Sequence, residues 1–225
     1  MRIDAVIFDH DGTLVDSEGI HFSIWQELLA QQGINFHREE YLNHHCGVPS
    51  KRNAELIVER HKLNTSSQQL LTNKQQKLDA WLHDHTFPLL PLAREALQEC
   101  RKAQLKIGLA TGAGRNEALR TVEGHNLAQY FDTLVTKDDV KNSKPAPETY
   151  LLAARHLAVE PEHCIAIEDS STGVASAKAA GMQCITVKYE LAKNQDLSSA
   201  DYHCNDLLQA VDKALTLVNQ GSENL

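Results

Sequence analysis

Two aspartates one residue apart follow a short apolar run near the start of the chain. Asp9 and Asp11 come directly after Ala5-Val6-Ile7-Phe8, and Gly12-Thr13 follows them. A short, β-prone apolar run before a glycine is typical of a buried strand that ends in a loop. Because side chains alternate along extended backbone, both aspartates can converge at the strand end, where open α/β sheets bind ligands.

Two carboxylates this close repel each other unless a cation or a proton lies between them. One can then act as a nucleophile and the other as an acid–base group, and a hard divalent ion can hold the pair. The alternative is ordinary turn chemistry, since aspartate and glycine are common in loops. The pentapeptide alone leaves both interpretations open.

Three later sites place further polar groups at the ends of predicted strands. Thr111 and Gly112 offer a hydroxyl and backbone N–H groups, which can hold phosphoryl oxygens. Lys144 is a compact cation suited to phosphate, and the acids Glu168 and Asp169 are costly at the end of a buried strand without a cation. Each site also has a structural alternative: a helix N-cap at the first, a solvated loop lysine at the second and helix capping at the third.

The elements that must position these residues alternate between strands and helices. Five apolar runs predict buried strands: Ala5–Phe8, Lys106–Ala110, Thr133–Val135, Cys164–Glu168 and Cys184–Val187. Helical spacing of apolar residues predicts helices at Leu92–Ala103, Pro147–Leu157 and Ser171–Ala180. This alternation implies a parallel sheet covered by helices on both faces, a doubly wound α/β fold.

The interval from residue 16 to residue 85 does not show this alternation, because it contains helical patterns and no convincing strand. We expect it to be an all-helical insert, a cap domain spanning 16–85. The catalytic core would then comprise residues 1–15 and 86–225. The polar residues 219–225 are expected to be frayed.

Composition narrows the class of protein. The 225 residues include 42% hydrophobic ones, enough for a packed core, and carry a formal charge of −8. The isoelectric point of about 5.8 is unlike that of a nucleic-acid-binding domain, so no nucleic-acid partner is expected. An anionic substrate would need local cations or a metal to overcome this charge.

The chain also lacks signals for export or membrane insertion. No apolar stretch approaches the ~20 residues of a membrane span, and the first residues lead straight into a strand rather than a signal peptide. The five cysteines are scattered, without a CxxC pair, which favours reduced thiols in the cytoplasm. The histidine clusters His44-His45-Cys46 and His83-Asp84-His85 lack a zinc-binding spacing, so zinc is disfavoured.

Four stretches of sequence, in this order, carry a family resemblance: FDHDGTLVDSE, ATGAGR, SKPAPETY and IEDSSTGVASAKAAGM. They resemble the motifs of the haloacid dehalogenase-like superfamily, in particular its phosphatases and phosphomutases with a helical cap after the first motif. The resemblance covers essentially the whole chain. It implies a Rossmann-like doubly wound core with an inserted all-helical cap.

The resemblance also implies catalytic roles for matched residues. Asp9 would attack phosphorus and become an aspartyl phosphate, and Asp11 would donate and then accept a proton. Thr111 and Lys144, with the backbone of Gly112, would hold the phosphoryl oxygens.

The same resemblance implies a Mg²⁺ ion as cofactor. Asp169 would bind it together with Asp9 and the main-chain carbonyl of Asp11, with Glu168 nearby as a ligand through water or as a supporting group. A dehalogenase needs neither a second acid nor Mg²⁺, so Asp11 argues against that branch. Hard oxygen ligands are the ones that Mg²⁺ prefers.

The cap carries the candidates for substrate specificity. His21 resembles a histidine that lies close to the catalytic pair in sugar-phosphate members of the family; a buried helix histidine is the equal alternative. Ser50, followed by Lys51, occupies the position at which the β-phosphoglucomutases of this family have an arginine. That arginine binds the phosphate of the substrate that is not transferred. Lys74 or Lys77 could be a cap lysine that faces the substrate, although a solvated helix face is favoured for both. His10 occupies a position that is usually apolar in the family.

These observations predict a Mg²⁺-dependent phosphatase of small phosphorylated metabolites, with sugar phosphates as the expected class. The alternative is a β-phosphoglucomutase-like phosphomutase that shares the covalent step. A third hypothesis is a non-catalytic binding module on the same fold, against which the full set of acids and lysine argues. A cytoplasmic monomer without membrane partners is expected.

Overall fold

The computed structural model describes residues 3–189, 191 and 195–222. Six parallel strands form one sheet in the order β3-β2-β1-β4-β5-β6. The strands are β1 (Ala5–Phe8), β2 (Lys106–Ala110), β3 (Thr133–Val135), β4 (Cys164–Glu168), β5 (Gln183–Val187) and β6 (Tyr202–Cys204). The order reverses between β1 and β4, and such a reversal is where doubly wound sheets place their ligands.

β1 lies in the middle of the sheet, and all of its residues are buried. Its partners are in register: Phe8 lies opposite Leu109 of β2 and Ile167 of β4. The carboxyl ends of these three strands are therefore level. The residues that follow them, beginning with Asp9 and Thr111, meet at one edge of the sheet.

Nine helices accompany these strands within the described part of the chain: α1 (Glu18–Ala30), α2 (Arg38–His44), α3 (Ser50–His61), α4 (Ser67–Asp84), α5 (Ala93–Lys102), α6 (Arg115–Gly124), α7 (Glu148–Leu157), α8 (Ser171–Ala179) and α9 (Leu207–Ser222). Successive side chains of β1 enter two apolar clusters on opposite faces of the sheet. Val6 and Phe8 join the cluster that includes residues of α5 and α9, while Ala5 and Ile7 join that of α7 and α8. The doubly wound architecture is thus confirmed.

The four helices α1–α4 are consecutive, and none of the residues from Glu18 to Asp84 is in a strand. Their apolar side chains, Trp25, Leu29 and Leu78 among them, belong to the same cluster as Phe8 of the sheet. This agrees with the all-helical composition expected for residues 16–85, although the domain boundaries themselves remain a prediction.

The strand predictions were accurate, with β5 beginning one residue earlier than expected. β6 was not predicted, because Tyr202–Cys204 is a short, partly exposed edge strand without an apolar run. The helices α6 and α9 were also missed. α9 reaches Ser222, so the expectation of frayed residues was wrong for 219–222, while 223–225 lie outside the described residues.

The segment that leads from α4 back to the sheet is fixed to α6. Thr86 donates from its hydroxyl to the carbonyl of Arg120 (3.0 Å), and the His125 ring bonds the Phe87 carbonyl (2.7 Å). The Phe87 ring is fully buried and lies 5.6 Å from the ring of Trp81 in α4. Helix α6 therefore anchors the connection between the helical insert and the core.

No helix in the described ranges is both long and apolar enough to cross a membrane. All five cysteines are free thiols, and four of them are buried.

Replacing Phe87 by alanine should lower the free energy of unfolding by about 3–5 kcal/mol, the usual cost of removing a fully buried aromatic side chain. Urea unfolding followed by circular dichroism measures this loss. Leu151, 40% exposed, is the matched control, and its alanine variant should change stability by less than about 0.5 kcal/mol. Equal losses in both variants would contradict the central packing role of Phe87.

Candidate active site

Lys144 joins residues from two neighbouring strand ends. Its Nζ lies 2.6 Å from Asp9 Oδ1 and 2.6 Å from Glu168 Oε1, and its side chain is only 6% exposed. The backbone N–H of Asp9 donates to the Ile167 carbonyl (2.9 Å), which keeps β1 and β4 paired up to the site. The structure thus brings together three of the residues that the sequence singled out.

Glu168 is fully buried, and hydrogen-bond donors surround both of its oxygens. Oε1 accepts from Lys144 Nζ and from the Tyr150 hydroxyl (2.8 Å). Oε2 accepts from the backbone N–H groups of Asp169 (3.2 Å) and Ser170 (3.4 Å) and from the Ser170 hydroxyl (3.1 Å). With this many donors, Glu168 is suited to orienting Lys144 rather than to binding a metal directly.

Two glycines make room for these carboxylates. A Cβ on Gly173, in the first turn of α8, would lie 1.8 Å from Glu168 Oε1. A Cβ on Gly12 would lie 2.1 Å from Asp169 Oδ2, and Gly12 has a positive φ of 76° that side chains disfavour. Both positions therefore require glycine if the acids are to stay where they are.

Asp9, Glu168 and Asp169 can place one carboxylate oxygen each within 4.8 Å of one another. They are the one such group of potential metal ligands in the described part of the chain. With all three ionised, Lys144 leaves an excess of two negative charges. A divalent cation would neutralise this excess, and the oxygen-only donor set suits Mg²⁺.

Burial and mutual repulsion raise the pKa values of Asp9 and Asp169. Burial, followed by the charge of Glu168, raises the pKa of Asp9 to about 7, although Lys144 opposes this shift. Burial, then the charges of Asp9 and Glu168, raises the pKa of Asp169 well above its usual range. The Thr13 hydroxyl donates to Asp169 Oδ1 (3.0 Å) and partly offsets this. Without a metal, the site therefore retains protons near neutral pH.

Asp11 lies apart from this group and contacts His10. Its Oδ2 is 3.1 Å from His10 Nδ1, and its side chain is 29% exposed. Burial alone would raise the pKa of Asp11, but the nearby charge of His10 lowers it. Asp11 is thus a carboxylate in the structure. The predicted metal contact of Asp11 involved its main-chain carbonyl and remains a prediction.

Thr111 and Gly112 follow β2 as predicted, but they differ in accessibility. The Thr111 hydroxyl is fully buried and accepts the N–H of Ala113 (2.9 Å) in a local turn. The N-cap of α6 is Gly114, so the alternative of a helix N-cap was wrong for Thr111 and Gly112. Gly112 is exposed and, with Ala113, lines the cavity described next. The hydrogen of the Thr111 hydroxyl is still available for donation.

A cavity of about 640 Å³ opens over the carboxylates. Asp9, Asp11, Lys144 and Asp169 line its floor. The opposite wall comes from the helical insert and includes three sequence-predicted residues: His21, Ser50 and Lys51. The structure therefore places these seven predicted residues around one space, whereas Thr111 and Glu168 do not line it.

His21 is uncharged in this position. Burial and the charge of Lys74 lower the pKa of His21 to about 3, and its Nδ1 has no hydrogen-bond partner among the described residues. The His21 ring packs edge-on against Phe87 at 5.6 Å. His21 is thus a packed helix histidine, as one interpretation held. It also borders the cavity, as the other interpretation, a histidine near the catalytic pair, requires.

The two cap lysines have different surroundings. Lys77 pairs with Glu27 (2.5 Å) on the surface of the helical insert. Lys74 is buried in a stripe of α4 that otherwise consists of leucines at 70, 78 and 82. Burial lowers the pKa of Lys74, although the charge of Glu117 opposes this. The prediction that both lysines lie on a solvated helix face was therefore wrong for Lys74.

Several residues near the site had no role in the sequence predictions. Tyr150 supports Glu168 from α7, and Ser143, Glu117 and Lys137 line the cavity. Ser143 directly precedes Lys144 in a quoted motif, so its position was a usable signal. Glu117 and Lys137 lie in segments without an apolar or motif pattern that could have identified them.

The family model of haloacid dehalogenase-like hydrolases matches residues 6–187. This match extends from β1 to the end of β5 and so includes all four motifs. The chain belongs to this family of hydrolases, as the motifs indicated.

Two curated relatives with similar sequences are bacterial phosphatases by name. Fructose-1-phosphate phosphatase YqaB of Escherichia coli K12 is 33% identical over 187 residues, which cover 83% of this chain and 97% of that protein. Hexitol phosphatase B of the same organism is 33% identical over 193 residues, covering 86% and 87%.

A solved structure with the same fold is that of a CbbY variant from Rhodobacter sphaeroides in complex with xylulose-(1,5)bisphosphate. It superposes with a TM-score of 0.75 and 27% identity over 91% of this chain and 95% of that one. The fold of the present chain is therefore that of a family member crystallised with a phosphorylated sugar.

Asp169→Asn should stabilise the metal-free protein while abolishing Mg²⁺ binding. The amide keeps an oxygen for the Thr13 hydroxyl, but unlike the carboxyl group it can be buried beside Asp9 and Glu168 without either taking up a proton or accepting their repulsion. In excess chelator, we expect the melting temperature to rise by about 2–4 °C, equivalent to about 1 kcal/mol. In Mg²⁺, the wild type should gain stability and the variant should not. A variant less stable than the wild type in chelator would contradict the repulsion.

Mg²⁺ affinity should increase with pH between 6 and 8. Since the pKa values of Asp9 and Asp169 are raised, the metal must displace protons at lower pH, which weakens binding by up to about tenfold per pH unit for each displaced proton. Calorimetry in buffers of different ionisation enthalpy measures both the affinity and the protons released. Affinity that is independent of pH would argue against protonated acids in the metal-free site.

Proposed function

We propose that this protein is a Mg²⁺-dependent phosphatase of small phosphorylated metabolites, with sugar monophosphates as its substrates. The observation that carries this proposal is the contact between Lys144 and Asp9 beside two further buried acids, on the floor of the 640 Å³ cavity. A nucleophile, a phosphate-binding cation and a set of metal ligands are together what phosphoryl transfer requires.

In the proposed reaction, Asp9 is the nucleophile. An Asp9 carboxylate oxygen forms a bond to phosphorus while the bond from phosphorus to the leaving oxygen breaks, which leaves an aspartyl phosphate. Lys144, held by Glu168, is placed to bind a phosphoryl oxygen and to offset the charge that accumulates there. The N–H groups beside Gly112 and the Thr111 hydroxyl would hold the remaining oxygens.

Asp11 serves as the acid and base of the two half-reactions. The negative phosphate of a bound substrate raises the pKa of a nearby carboxyl group, so we expect Asp11 to take up a proton as substrate binds. This proton passes to the leaving oxygen, and the resulting carboxylate then accepts a proton from the water that hydrolyses the aspartyl phosphate. Its partial exposure to the cavity suits both transfers.

Asp9 and Asp169 would hold Mg²⁺. Glu168 would lie nearby, as a ligand through water or as a supporting group. When bound, this ion supplies positive charge that offsets the repulsion among the acids and the incoming phosphate. The donor set supports magnesium rather than zinc, because only carboxylates come together in the described part of the chain.

The cavity also supports a small substrate with one phosphate. Its volume lies within the range of small-molecule sites, and α4 contributes polar side chains, Gln75 and Gln76 among them, that can bond sugar hydroxyls. Ser50 lines the cavity where a mutase would have an arginine for a second phosphate. We propose that residues 16–85 act as a cap that excludes water from this space.

A panel of sugar phosphates tests this function, with fructose 1-phosphate and hexitol phosphates included because relatives are named for such substrates. Phosphate release should require Mg²⁺ and stop in chelator. Asp9→Asn should reduce turnover by about a thousandfold or more, the scale seen when a nucleophile is removed, while circular dichroism remains unchanged. The exposed Asp212, on α9, is the control, and Asp212→Asn should retain full activity.

Three outcomes would contradict the proposal. Full activity of Asp9→Asn would exclude the covalent step. An isomeric sugar phosphate that forms only with a bisphosphate primer would identify a mutase instead. Binding of phosphorylated sugars without any turnover across the panel would indicate a non-catalytic module.

We also propose a cytoplasmic location, which the free state of all five cysteines supports.

A further inference from the structure

His10, between the two catalytic aspartates, has a buried polar environment that the proposed chemistry does not use. Its side chain is fully buried and does not line the cavity. The two ring nitrogens face polar atoms in different ways. Nε2 forms a hydrogen bond of 2.9 Å with the Thr121 hydroxyl, whereas Nδ1 lies 3.1 Å from Asp11 Oδ2, an ion-pair distance without hydrogen-bond alignment. A buried imidazole with two such contacts is fixed in orientation and can fix its neighbour.

The two contacts are compatible with either charge state of the ring. When Nδ1–H faces Asp11, Nε2 either accepts from the Thr121 hydroxyl or, if protonated, donates to it, since a threonine hydroxyl can do both. The orientation of the ring, which the hydrogen bond to Thr121 fixes, therefore does not depend on whether the imidazole is charged. Holding Asp11 in place does not depend on a change in protonation.

The rest of the His10 environment is rigid. The His10 carbonyl accepts the backbone N–H groups of Leu14 (2.8 Å) and Val15 (3.0 Å), which folds the catalytic loop back on itself. Thr121 is buried in α6, and the Phe87 ring packs edge-on at 6.1 Å from the imidazole. His10 is thus held by the loop, by α6 and by the segment that returns from the helical insert.

We infer that His10 is a positioning residue that, anchored on Thr121, holds the Asp11 carboxyl group toward the leaving oxygen of the substrate. This inference rests on the proposed function. In the step concerned, the Asp9–phosphorus bond forms as the bond from phosphorus to the leaving oxygen breaks, and the Asp11 proton moves to that oxygen. Asp11 lines the cavity, and its Oδ1 is a buried atom without a hydrogen-bond partner among the described residues, so Oδ1 is the oxygen left to carry this proton.

A positioning role predicts a dependence on the leaving group. Proton donation matters most for a poor leaving group and least for one that departs readily as an anion. Phenyl phosphate and 4-nitrophenyl phosphate have similar shapes but differ in this property. Their kcat/KM values report the steps up to departure of the leaving group, whereas later hydrolysis of the aspartyl phosphate is common to both.

The experiment compares His10→Leu, His10→Asn and Thr121→Val with the wild type on both esters. His10→Leu should lower kcat/KM for phenyl phosphate by about tenfold or more and for 4-nitrophenyl phosphate by less than about threefold. His10→Asn should restore most of the loss, because the asparagine amide keeps a donor near the position of Nδ1. Thr121→Val should show a smaller effect of the same kind.

Matched controls are His45→Leu and Thr149→Val. His45 is a buried histidine bonded to Asn53 (2.8 Å), and Thr149 is a buried helix threonine; neither contacts Asp11. Their effects should be equal on the two esters. Equal losses on both esters in His10→Leu, or no loss, would overturn the inference, as would a leaving-group effect in the controls. A wild type that hydrolyses no phosphate ester would instead overturn the proposed function, and this inference with it.

Discussion

The ion pair between Lys144 and the acids at the ends of β1 and β4 is the constraint on which the site depends. Burying Asp9 and Glu168 without a cation would be costly, and Lys144 brings one within 2.6 Å of each. The lysine in turn keeps its charge: burial alone would lower its pKa, but the two acids raise it. One positive charge serves three buried carboxylates, so a divalent cation would offset the negative charge that remains.

This electrostatic arrangement depends on close backbone packing. Ser170, the N-cap of α8, can donate its N–H and hydroxyl to Glu168 only because Gly173 lets the helix approach this carboxylate. On the other side, α6 anchors the connection from the helical insert through Thr86 and contacts His10 through Thr121. Helix α6 thus contacts both the segment that returns from the helical insert and the loop that follows β1.

Much of the fold and of the catalytic floor could be predicted from the sequence. Buried parallel strands produce continuous apolar runs, and the register of β1 with its neighbours then places Asp9 near Glu168 and Asp169. The partners of His10 could not be predicted, since Thr121 is 111 positions away and lies on a helix without a clear apolar pattern. The burial of Lys74 could not be predicted either, because a lysine in a glutamine-rich helix is usually solvated.

The close packing at Gly12 and Gly173 limits where substitutions can be made in this protein. Backbone and carboxylates are so close there that the floor cannot accept a larger side chain without moving a reacting group. The wall formed by α4 is different, because polar side chains such as Gln75 and Gln76 border open space there. Substitutions intended to reshape the cavity are therefore better tolerated on the wall formed by α4 than on the floor beneath it.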